Sequence, residues 1–70
     1  MNKQRTIELV SAIDRQFGAR PFTKAEHALH WRTADALIEA GYLETVVSGK
    51  TRADENGYVP LRRTSKACPT

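Results

Sequence analysis

The side chains here that could do chemistry are two histidines, one cysteine, a few serines and carboxylates, and a larger set of cations. His27 and His30 are three apart and could share one helical face, which supplies part of a zinc site. A third ligand is needed, and the pattern is neither His-Glu-x-x-His nor a cysteine–histidine finger, so no metal is expected. Cys68 is the single cysteine and lies near the end, so an internal disulfide is excluded and the thiol reads as inert. Ser11, Ser48 and Ser65 have no evident base with an orienting acid, and Asp14, Asp35 and Asp54 show no paired arrangement. There is no Gly-rich phosphate loop, so the chain reads as a protein without catalysis and without a cofactor.

What remains is cation chemistry. The net charge is +3 and the pI about 9.4, which favours anionic partners. Lys3, Arg5, Arg15 and Arg20 face only Glu8 and Asp14 within residues 1–20. Lys50, Arg52, Arg62, Arg63 and Lys66 face Glu44, Asp54 and Glu55 within residues 42–70, while the middle is slightly acidic. The positive charge therefore gathers toward the two ends.

Seventy residues allow one domain with a small core. Apolar residues at 40% and charged residues at 27% are ordinary for a globular protein rather than a disordered one. No apolar run has the length of a membrane span, and residues 1–6 lack the apolar block of a signal peptide, so a cytoplasmic protein is expected.

The elements that must position the cations follow from periodicity. Residues 6–17 fit a helix whose apolar face is Leu9, Val10, Ile13 and Phe17, with Ile7 at its edge, Thr6 as N-cap and Gly18 as stop. Pro21 separates it from a capping box, Thr23 to Glu26, in which the Glu26 side chain reaches back to the Thr23 N–H and Phe22 staples onto His27. No Gly or Pro interrupts residues 24–40, so one long helix is an open alternative. A break near Leu29 and His30 instead keeps a third helix in register, with Trp31, Ala34, Leu37, Ile38 and Gly41 on its core face. His30 is expected near that turn, and His27 either exposed or on a phosphate.

Residues 42–47 favour a strand, residues 48–57 a polar loop, and residues 58–64 a returning strand. Pro60 predicts an edge position for that strand, with Val59 and Leu61 on one face. Tyr58 reads either as a surface contact or as a cross-strand partner of Val46 or Val47.

This order of elements resembles the winged helix-turn-helix family over residues 6–64. The most specific phrase is Ala36-Leu37-Ile38-Glu39-Ala40-Gly41-Tyr42-Leu43-Glu44, where a helix ending in glycine runs directly into a strand. The resemblance implies an α+β fold: a three-helix winged helix-turn-helix with a C-terminal β-hairpin wing over residues 1–64. A flexible tail would follow over residues 65–70, and a short extra strand is allowed near residues 20–22. It also implies a small sequence-specific protein for double-stranded DNA, such as a transcriptional regulator or excisionase-like factor of a phage or mobile element.

On that implication the third helix enters the major groove, with Arg32 on guanine or phosphate and Thr33 on phosphate or a thymine methyl. Ala36 and Ala40 allow close approach. Lys50 and Arg52 lie along the phosphates or minor groove, Arg62 and Arg63 add positive field, and Lys24 contacts phosphate. One such domain covers a half-site, so a homodimer is implied. The alternative is a winged helix that docks on a host protein complex as a phage-encoded inhibitor or adaptor, through the acidic edge of Glu26, Asp35 and Glu39.

Overall fold

A computed structural model of the chain describes residues 2–27, 29–53 and 58–69, with the side chains of Lys24 and Ala25 outside that description. Asn2, not Thr6, opens the first helix. Its Oδ1 accepts from the Arg5 N–H at 2.7 Å, and α1 accordingly runs Lys3–Gln16. Thr6 lies inside the first turn and its hydroxyl donates back to the Asn2 carbonyl at 3.0 Å. The stop falls where expected: Gly18 adopts φ +60 and its N–H closes on the Asp14 carbonyl at 3.0 Å.

The next element, α2 (Lys24–His27), is a single turn closed by the Glu26 N–H on the Thr23 carbonyl at 3.1 Å. Glu26 does not complete the expected box; its carboxylate accepts from Arg20 at 3.1 Å. The staple does form as a contact, with the Phe22 and His27 ring centroids 6.1 Å apart. The chain then breaks at residues 29–30, the choice that keeps the third helix in register. His30 is extended, and its Nδ1 accepts from the Arg32 N–H at 3.1 Å, which starts α3 (Trp31–Glu39). At the far end Gly41 has φ +92, and the Tyr42 N–H reaches back to the Leu37 carbonyl at 2.9 Å. This closure needs a left-handed residue, which explains glycine there.

Tyr42 leads at once into β1 (Leu43–Thr45), which pairs antiparallel with β2 (Leu61–Arg63) in the register Leu43↔Arg63, Glu44↔Arg62, Thr45↔Leu61. On the other side of β2, Phe22 and Leu61 exchange two backbone hydrogen bonds of 2.8 and 2.7 Å as an isolated bridge. The extra strand near residues 20–22 is thus one residue of pairing. The returning strand is flanked on both sides at Leu61, not at an edge; Pro60 stands just outside it and its carbonyl accepts from the Val46 N–H at 3.0 Å.

The core lies where α1, α3 and the sheet meet. Leu9, Val10, Ile13 and Phe17 of the α1 face pack with Phe22, Leu29, Ala34, Leu37, Leu43 and Leu61. Burying each of the larger side chains contributes about 1.5–3 kcal/mol. Trp31, expected in this core, is only half-buried and outside it.

Among the described residues the architecture is a small α+β arrangement: two helices longer than one turn and a two-stranded antiparallel sheet. This corrects the expected three-helix winged helix-turn-helix with a hairpin wing. The segment between Pro21 and the His30 break holds only the single turn of α2, so no second full helix packs there. The strands are three residues each, and the loop between them does not stand off as a wing. Its first part folds back on α3, because the Asp35 carboxylate accepts from the Ala53 N–H at 2.7 Å and from Arg52 at 3.3 Å. The rest of the expected wing loop, residues 54–57, lies outside the described residues.

Within the segment expected as a flexible tail, Lys66 and Cys68 touch the rest of the fold. Lys66 donates to the Ala40 carbonyl at the end of α3 at 2.6 Å and sits 4.6 Å over the Tyr42 ring. Cys68 packs against the core, with its Sγ 3.6 Å from the Ser11 hydroxyl. Among the described residues, no helix is long and apolar enough to cross a membrane.

Candidate nucleic-acid interface

With Ala34 and Leu37 turned into the core, the helical repeat of about 100° per residue aims Arg32, Ala36 and Glu39 outward. Thr33 then faces the α1 side and Asp35 the loop side. Arg32 is exposed, and its guanidinium lies 5.2 Å over the Trp31 ring. The His30 ring stacks against the same tryptophan at 5.9 Å. This arrangement accounts for Trp31 leaving the core: an amphipathic ring at the start of α3 supports a cation above it.

Two depressions flank the outward face. On the α1 side, Arg32, Thr33 and Ala36 line an open groove of about 250 Å³ together with Arg5. Among the described residues its lining includes no carboxylate. On the other side, Asp35, Ile38 and Glu39 meet Thr51 and Arg52 around a space of about 290 Å³. Arg5 was not legible as a site residue. It sits in the first turn of α1, and only the packing of α1 on α3 brings it beside Thr33.

The other expected contacts divide. Lys50 is exposed; its carbonyl accepts from the Thr45 hydroxyl, and its N–H closes a turn on the Val47 carbonyl at 3.2 Å. It lines a further depression beside Val47, Arg52 and Tyr58, which is 80% exposed. Arg52 itself is paired with Asp35, a carboxylate only 13% exposed. Arg62 gives both Nε and Nη2 to Glu44 Oε1, at 2.9 and 2.6 Å, across the strand pair.

Arg63 is withdrawn from the surface. Its side chain is 9% exposed and donates to Asp14 at 2.7 Å and to the carbonyls of Tyr42 and Lys66 at 2.8 and 2.9 Å. It clamps α1 to the sheet and the C-terminal segment, so its expected role in the external field is corrected to a structural one. The Lys24 side chain lies outside the described residues. Ala40 is exposed, and its carbonyl is capped by Lys66.

The acidic edge is largely engaged from within: Glu26 pairs with Arg20 and Asp35 with Arg52 and the Ala53 N–H, leaving Glu39 exposed on α3. His27, expected at the surface or on a phosphate, is half-buried between Phe17 and Phe22 at 5.8 and 6.1 Å, and its Nδ1 is buried without a hydrogen-bond partner. Among the described residues, no three His, Cys, Asp or Glu side chains gather closely enough to hold a metal ion.

Among the described residues this is a small α+β protein in which α1 and α3 line a groove carrying two arginines. No protein family, curated protein or solved structure matches the chain.

Proposed function

We propose that the protein binds double-stranded DNA through the outward face of α3, as a small regulator or accessory factor. The observation that supports this most is the common groove of Arg32, Thr33 and Ala36. While Glu39 stands on the outward face, a guanidinium, a hydroxyl and a methyl line the α1 side of the helix with no carboxylate among the described lining residues. Those are the side chains that read guanine, phosphate and the thymine methyl. With its side chains an α-helix is about 10–12 Å across, which fits the ~12 Å width of a major groove. Trp31 beneath Arg32 limits the freedom that the guanidinium loses on binding, and Lys50 adds an exposed cation.

Fluorescence anisotropy with a labelled duplex tests the reading. Binding should fall at least about 10-fold between roughly 50 and 200 mM salt, as counterions released from several phosphates require. Arg32→Ala should weaken binding by about 5-fold or more, in line with a loss of ~1–3 kcal/mol per guanidinium contact. Absence of binding at the lower salt would overturn the proposal.

A further inference from the structure

Arg5 and Arg32 come from different helices and line the same open groove, with the Thr33 hydroxyl beside them and no carboxylate among the described lining residues. Two guanidiniums on one small concavity raise a positive potential there, and an anion seated between them relieves it. Arg5 is only loosely held by its own helix. Its carboxylate neighbour, Glu8, is 3.8 Å away, and both side chains are more than half exposed, at 59% and 56%. An exposed pair of that length holds Arg5 only weakly. Arg52, the loop cation expected to track the backbone, is instead engaged by Asp35.

We propose that the groove seats one phosphodiester group of the nucleic acid between Arg5 and Arg32, so that the first turn of α1 grips the backbone while α3 presents its outward face. The inference rests on the DNA reading above and adds to it the partner's contacting group and the helix that supplies the second contact. A planar guanidinium can donate two parallel hydrogen bonds to the oxygens of a phosphate, and Thr33 can donate a third kind of contact from the groove wall. Ala36 is small enough to leave the space open. Because the phosphate is the same at every step of the duplex, Arg5 contributes affinity without sequence preference.

The test is the salt dependence of duplex binding by the full chain and its Arg5→Ala variant, measured on three unrelated sequences. Arg15→Ala, which removes an exposed cation from the last turn of α1, is the control for net charge. The expected result is a log–log salt slope reduced by about one in Arg5→Ala, with the same fold-loss on all three duplexes and little change in Arg15→Ala. Thermal unfolding of Arg5→Ala should match the parent, since the side chain is exposed.

Wild-type binding with an Arg5→Ala slope equal to that of the parent overturns the seat and leaves the DNA reading standing. No wild-type binding at the lower salt overturns both. Inorganic phosphate at matched ionic strength should compete no better than chloride. Selective displacement by phosphate would make the groove a site for the free anion and overturn the assignment to a backbone.

Discussion

Arg63→Ala is expected to lower the stability of the fold by about 3 kcal/mol, while Arg62→Ala, one residue away, should cost less than about 1 kcal/mol. The two arginines are adjacent in β2, so their side chains leave opposite faces of the strand. Arg62 meets Glu44 at the surface, with both side chains more than two-fifths exposed at 44% and 45%. Arg63 points inward at 9% exposure and satisfies Asp14 together with the carbonyls of Tyr42 and Lys66. Alanine there removes four charge-assisted hydrogen bonds, the longest to the Thr64 carbonyl at 3.4 Å, at the junction of α1, the end of α3 and the C-terminal segment. Asp14 is 45% exposed and regains water, which keeps the loss below the full penalty for breaking a buried pair.

For a chain of this size total stability is about 4–10 kcal/mol, so the Arg63 variant loses a large part of it. The corresponding drop in Tm is roughly 10–25 °C, to be followed by circular dichroism on heating. Equal Tm values for the two arginine variants would refute the clamp.

Phe22→Ala should be at least as damaging, with a loss of about 3–5 kcal/mol. The ring is 1% exposed and stacks on Phe17 at 4.5 Å with planes 7° apart. Its backbone meanwhile pairs with Leu61 in both directions. Alanine keeps the backbone bonds, so the loss comes from the vacated ring volume and the contact with Phe17. Phe22→Leu refills much of that volume and should cost only about 1–1.5 kcal/mol. Urea unfolding of the two variants separates these cases. A loss below about 1 kcal/mol for Phe22→Ala would mean that Phe17 and His27 collapse into the space, and that this corner is not a fixed part of the core.

Local features were legible in the sequence. The α1 face, the stops at Gly18 and Gly41, the break before Trp31 and the change to strand after Gly41 all follow from periodicity and backbone preference over a few residues. Long-range polar contacts left no such trace. Nothing local distinguishes Arg63 from Arg62, or marks Asp35 as the acceptor that draws the loop onto α3 and cancels the wing. The anchoring of Lys66 and Cys68 depends on carbonyls and side chains far away in the chain. The count of helices failed for a related reason: the capping pattern at Thr23 announces a helix start but not its length, and α2 ends after one turn. Of the expected contact residues, Arg32, Thr33 and Ala36 do share a groove because they share a helix face, whereas Arg5 joins them only through packing.

On the proposed function, the groove side of α3 and the first turn of α1 form the surface that meets DNA. Amide chemical shifts of the ¹⁵N-labelled protein, followed while a short duplex is titrated in at low salt, locate that surface directly. The largest shifts are expected at Arg5, Arg32, Thr33 and Ala36, with Leu43–Thr45 and Leu61–Arg63 nearly still. Largest shifts on the two strands, or none anywhere, would contradict the proposed surface.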